Sequence, residues 1–67
     1  MLKQDVIKLI KENQYLKIEL MQHNKKSQYT IEKWLNENNS SLTEFSNLGI
    51  IKKHLQIEDI TELLNTI

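Results

Sequence analysis

Apolar residues recur at helical spacing from the start of the chain. Leu2, Val6, Leu9 and Ile10 stand at i, i+4, i+7 and i+8, which lines one face of a helix and predicts helix formation near residues 3–12. Glu12-Asn13-Gln14 interrupts this run, and Leu16, Ile18, Leu20 and Met21 then predict a second helix near 15–23. Asn24-Lys25-Lys26 reads as a short polar turn. Ser27 is a good N-cap, because its hydroxyl can accept from a free amide of the following first turn. In a third helix near 28–37, Ile31, Trp34 and Leu35 fall within roughly 100° of arc, the width of a core-facing stripe. Trp34 is expected to be the central core residue. Tyr29, Glu32, Lys33 and Asn36 fall on the opposite arc, with Gln28 at its edge, so the pattern leaves a polar row with no partner inside the chain.

Beyond this helix, Asn38-Asn39-Ser40-Ser41 is a loop. Ser41-Leu42-Thr43-Glu44 has the form of a capping box, with Thr43 an equally suitable cap. Phe45, Leu48, Ile51 and Leu55 predict a fourth helix near 43–54. Gly49 within it costs about 1 kcal/mol relative to alanine, and either lets a neighbouring helix approach closely or is simply tolerated. Ile60, Leu63, Leu64 and Ile67 predict a fifth helix near 58–66. The expected architecture is all-α: a single domain, residues 1–67, forming a compact bundle of about five short helices.

Composition narrows this picture. The chain has 67 residues, no cysteine, no proline and one glycine, which favours helices over a turn-rich β fold and rules out disulfides and thiolate metal sites. So short a chain buries only about 60% of its unfolded surface, so its stability is marginal. No apolar run approaches the ~20 residues of a membrane span, and a signal-peptide pattern is missing, so a cytoplasmic protein is expected. The formal net charge is zero but unevenly spread. Residues 1–33 carry seven lysines against four acids, a charge of +3, whereas residues 34–67 carry two lysines against five acids, a charge of −3. A dipolar protein of this kind can offer one basic face to a polyanion, although the balance argues against strong non-specific nucleic-acid binding.

The segment Ser27-x-x-Thr30-Ile31-x-Lys33-Trp34-Leu35 carries a resemblance. With Leu20-Met21 and the tight turn before it, and Leu42-Thr43, Ile50-Ile51-Lys52-Lys53-His54-Leu55 and Glu62-Leu63-Leu64 after it, the chain resembles the lambda repressor/Cro-like (XRE-type) helix-turn-helix family of bacterial and phage DNA-binding regulators. The resemblance covers residues 15–64. It implies that helix 28–37 enters the major groove of double-stranded DNA, N-terminal end first. It implies Gln28 as the principal base reader, with Ser27 as cap, Thr30 as an anchor, and Tyr29 and Lys33 reaching bases or backbone. Lys25, Lys26 and Lys17 are implied phosphate contacts, and Asn36, Asn38 and Asn39 neutral backbone contacts. The family usually has an apolar residue and then a glycine where this chain has Asn24 and Lys25. Lys26 stands where an apolar residue is usual, Met21 where a small alanine is usual, and Glu32 lies on the implied DNA face. A homodimer is expected, its surface supplied by Ile60, Leu63, Leu64 and Ile67 of the fifth helix. The same scaffold can serve protein recognition instead, as an anti-repressor or inhibitor.

A structural rival lies in the first third. Leu2, Val6, Leu9, Asn13, Leu16, Leu20 and His23 alternate by four and three residues, the pattern of a zipper over residues 2–23 with asparagine at one seam position. Ile7, Ile10, Ile18 and Met21 lie outside that seam and suit a globular core better. Glu19/His23 and His54/Glu58 have i, i+4 spacing and are expected as surface ion pairs rather than metal ligands. No nucleophile elbow or phosphate loop is present, so neither an enzyme nor a cofactor is expected.

Overall fold

A computed structural model describes residues 1–64 of the chain. Helix α1 spans Gln4–Lys11, α2 Gln14–Asn24, α3 Gln28–Glu37 and α4 Phe45–Leu55. Two single-turn 3-10 segments, Ser40–Thr43 and Ile60–Leu63, complete an all-α bundle. The break between α1 and α2 is fixed by Asn13, whose side chain accepts from the Leu16 amide at 3.0 Å. Residues 2–23 are therefore not one rod, and the zipper expectation does not hold. Its seam residues Leu2, Val6, Leu16 and Leu20 are buried in the chain's own core.

That core joins Leu2, Val6, Ile7 and Ile10 to Leu16, Leu20, Ile31, Leu35, Leu42, Leu48, Ile51 and Leu63. Helix α2 packs against α1, α3 and α4 and so forms the centre of the bundle. Trp34 is only partly buried, packed against the edge of this core. The expected central position belongs to Ile31 and Leu35, and Asn38 turns inward beside them. Leu9 and Phe45 are also exposed rather than packed, because the inward sides of α1 and α4 are already filled by Val6, Ile7 and Ile10 and by Asn47, Leu48 and Ile51.

Helices α2, α3 and α4 end alike. Lys25, Asn38 and Gln56 follow them in the left-handed conformation, with φ of 56°, 50° and 56°. The next amide reaches back to close each end: Lys26 to Met21, Asn39 to Trp34 and Ile57 to Lys52, at 3.1, 2.9 and 3.1 Å. This is the Schellman arrangement, which normally favours glycine at the left-handed position. The single glycine, Gly49, lies instead inside α4, where a Cβ would meet nothing within 4 Å. It is tolerated there, not needed for packing within the chain.

Two expected helix boundaries move. Helix α4 starts at Phe45, not near 43, and neither Ser41 nor Thr43 caps it: its N-cap is Glu44, whose side chain makes no capping bond. Asn39 instead caps the preceding 3-10 turn through the Ser41 amide, at 2.8 Å. The fifth helix is replaced by the turn Ile60–Leu63, opened by Asp59, whose carboxylate accepts from the Thr61 amide at 3.0 Å. The Leu63 carbonyl is taken by the Lys3 amide at 2.9 Å, and Leu2 and Leu64 form an antiparallel bridge. The chain runs on extended at Leu64, with φ −106° and ψ 144°, so the helical turn stops there and the segment meets the N-terminal one. The last residues expected in that helix, Asn65 and Thr66, lie outside the described residues, as does Ile67.

This arrangement also removes the basis of the expected dimer surface. Leu63 is fully buried in its own chain, and Ile60 and Leu64 pack against the same core. Among the described residues of the segment, only the partly exposed sides of Ile60 and Leu64 are left for a second copy.

Candidate nucleic-acid interface

The turn between α2 and α3 consists of Lys25, Lys26 and Ser27, all exposed. Lys25 adopts the left-handed backbone that closes α2, the conformation for which a glycine is usual at this point of the resembling family. Asn24, where an apolar residue is usual, is met by a matching polar group. Its amide nitrogen donates to the Leu20 carbonyl at 2.7 Å and to the Asn47 side-chain oxygen at 2.9 Å. Asn47 returns a bond to the Asn24 oxygen at 3.1 Å and donates to the Ser41 carbonyl at 2.8 Å. Asn47 is fully buried, and among the described residues no buried side-chain polar atom lacks a partner. Two asparagines thus join the end of α2 to α4 where an apolar contact is usual, a fully satisfied pair of the kind that a low-dielectric interior requires. Met21 is half-buried against the core.

Ser27 caps α3 as expected, accepting from the Thr30 amide at 3.3 Å. The Ser27 and Thr30 hydroxyls are 3.2 Å apart and share a hydrogen bond. Thr30 is half-buried and holds the first turn of α3 in place. Gln28, Tyr29, Lys33 and Asn36 are all exposed along one side of that helix, and Tyr29 is 76% exposed. With Lys25 and Lys26, they form a continuous polar and basic strip from the turn along the outer side of α3.

Three expected contacts do not belong to this strip in the way the sequence suggests. Lys17 does not stand free: its ammonium bonds the Glu32 carboxylate at 3.1 Å, and its side chain is only 12% exposed. This bond ties α2 to α3 and compensates Glu32 on the outer arc of α3. Asn38 is buried, not offered to solvent. Its side chain accepts from the Leu2 amide at 3.2 Å and donates to the Leu2 carbonyl at 2.8 Å, acting as a short strand partner for the N-terminal segment. Asn39 is committed to capping. The sequence carries no sign of the partnership between Asn38 and Leu2, which lie 36 residues apart. The inward phase of position 38 was the available signal, since it continues the Ile31 and Leu35 stripe after one further turn.

The histidines also differ from expectation. Glu19 pairs neither with His23 nor in isolation. It accepts from Lys53 at 3.2 Å and lies 2.6 Å from His54 Nε2, which joins α2 to α4. These two partners, the His54 bond foremost, hold the Glu19 carboxyl below its ordinary range. His54 therefore contacts Glu19 in place of Glu58. Among the described residues no helix is long and apolar enough to cross a membrane, and no cluster of three potential ligands could hold a metal ion.

Comparisons with protein-family models, curated proteins and solved structures return no match for this chain.

Proposed function

We propose that the chain is a small sequence-specific DNA-binding regulator of phage or mobile-element type, reading the major groove with α3 and acting as a cytoplasmic homodimer. The observation that carries this reading is the exposed row Gln28, Tyr29, Lys33 and Asn36, continuous with Lys25 and Lys26 and sealed against no other part of the described chain. A glutamine near the helix N-terminus suits the paired donor and acceptor of an adenine edge. Exposed lysines in the preceding turn suit phosphates, and none of Lys25, Lys26 and Lys33 forms an ion pair among the described residues. The Lys17–Glu32 bond supports the reading by partly neutralising the acid that would oppose a phosphate. The left-handed Lys25 and the Asn24–Asn47 pair support it by accommodating two of the three changes in the turn without loss of a closed helix end. In this reading the chain is a helix-turn-helix protein, requires no cofactor and catalyses no reaction.

The test is a mobility-shift titration on DNA flanking the coding region, at low and at near-physiological salt. Binding that weakens steeply with salt is the expected result, since each phosphate contact releases counterions. Lys26→Ala should weaken all sequences similarly, whereas Gln28→Ala should relax preference at one base pair by ~1–3 kcal/mol. Binding unaffected by either substitution, or absent at low salt, would reject DNA as the partner.

A second reading, a protein-interaction module on the same scaffold, is favoured by one observation: Phe45, 82% exposed, offers a partner an apolar ring that the described chain does not cover.

A further inference from the structure

The outer side of α4 carries a second feature that the DNA reading does not use. Phe45, Gly49 and Lys52, with Gln56 capping the helix beyond them, follow one another at i, i+4, i+7 and i+11, which places them within roughly 60° of arc on a flank that borders Leu48 and lies away from Ile51. At one end Phe45 projects almost wholly into solvent. Next along the row, Gly49 leaves the helix backbone bare, with nothing within 4 Å of where a Cβ would stand. Beyond it lies an open groove of about 560 Å³, lined by Gly49, Lys52, Lys53, Gln56, Ile57 and Glu58. The same stripe thus holds a protruding aromatic ring and, from one turn further on, a shallow open groove that begins at the glycine.

We propose that this stripe is the surface by which two copies of the chain associate, α4 against α4 in antiparallel, with the two-fold axis passing near Gly49. A two-fold interface must be self-complementary, each patch supplying what the other lacks. Rotation about Gly49 brings Phe45 of one copy opposite the Lys52–Lys53 turn of the other and into its groove, because the ring and the groove lie on opposite sides of the axis along one row. The bare backbone at Gly49 lets the helices approach closely, and the lysine stems offer apolar length to the ring while their ammonium groups lie over its face. Charge follows the same symmetry. Glu44, exposed and free of any capping bond, directly precedes Phe45 and approaches Lys52 of the second copy. The antiparallel helix dipoles add to this attraction. The proposal supplies the homodimer invoked for paired half-sites, now that Ile60, Leu63 and Leu64 are consumed by the chain's own core. It stands or falls without DNA.

The experiment is sedimentation equilibrium of the whole chain, without DNA, from low to high micromolar concentration. The mass should rise from one chain towards two. Phe45→Ala should hold it at one chain throughout, with the helical circular-dichroism spectrum of the parent and, at concentrations where the parent is one chain, its melting temperature. Gly49→Lys should do the same by filling the axis, while leaving the single chain folded, since a Cβ at this position meets nothing within 4 Å. Glu44→Lys should weaken association severalfold, and Glu44→Lys combined with Lys52→Glu should restore it, a rescue that a merely structural role cannot produce. A mass of one chain at every concentration overturns the proposal, as does association untouched by Phe45→Ala and Gly49→Lys. A dimer that ignores DNA sustains this inference and rejects the reading of α3, and a strictly one-chain protein that shifts DNA does the reverse.

Discussion

Helices α3 and α4 present outward faces of nearly equal length and opposite character. That of α3 is a row of hydrogen-bonding and cationic side chains, Gln28, Tyr29, Lys33 and Asn36, continued by two lysines in the turn before it. That of α4 alternates a bare phenyl ring with an open recess at Gly49. Neither face stabilises the single chain, since stability resides on the opposite side of each helix, in Ile31 and Leu35 and in Leu48 and Ile51. The difference teaches how so small a domain can divide its surface. In the proposed functions, the polar strip would meet a partner with many acceptors through directional bonds, and the ring and groove would meet a second copy through shape and loss of water.

Substitutions on the inner faces should produce the largest effects and none specific to either outer face. Ile31→Ala should cost ~2–5 kcal/mol in denaturant unfolding, enough to unfold much of the protein. Trp34→Ala should cost less than the ~3–5 kcal/mol of a fully buried indole, because Trp34 is only half-buried. Asn38→Ala should cost about 1–3 kcal/mol for each Leu2 backbone group it orphans, whereas Asn36→Ala, two residues earlier on the outer face, should leave the melting temperature unchanged.

Smaller effects separate the two outer faces from each other. Gly49→Ala should stabilise the single chain by about 1 kcal/mol, since the helix gains propensity and the new methyl meets no neighbour. Lys25→Gly should also stabilise, by about 0.5–1 kcal/mol, by relieving a left-handed lysine, yet weaken DNA binding by removing a charge. Opposite signs in melting and binding assays of this one variant would locate the lysine at the interface. Phe45→Ala should change folding stability by no more than about 0.5 kcal/mol.

The smallest effect concerns acid. The Glu19 carboxyl is held below its ordinary value in the folded chain by its bonds to His54 and Lys53. A depressed folded pKa contributes stability that is complete above the unfolded value and is lost as pH falls through the folded one. Unfolding followed from neutral pH down past the carboxylate range should therefore show a loss of stability on acidification that Glu19→Gln reduces. Since Glu19 joins α2 to α4, neither outer face should change its binding preference in that variant.

Much of the helix pattern was legible beforehand. The periods of α1, α2 and α3, the cap at Ser27 and the break after Glu12 follow from local rules, because hydrophobic spacing and capping act within a few residues. The errors lie where distant segments compete for the same groups. Ile60, Leu63 and Leu64 have helical spacing, but Leu64 is extended and bridged to Leu2, so the helical run stops after a single turn whose apolar side chains pack on the chain's own core. Lys17 and Asn38 read as solvent-facing contacts until Glu32 and Leu2 are brought beside them. Of the candidate strip, Lys25, Lys26, Gln28, Tyr29, Lys33 and Asn36 were readable as exposed, because the phase of one helix and the polarity of one turn decide it.

By itself, then, the order of residues determined that this chain makes short amphipathic helices, where three of them begin or break, and which side of α3 is polar. Tertiary structure alone decided that the C-terminal segment closes on the N-terminal one, that asparagines 24 and 47 meet in the interior, and that a phenylalanine with a core residue's spacing stands in water. The reason is physical. Periodicity tells which residues of a helix share a side, but only the packing of all the helices together tells which sides run out of room.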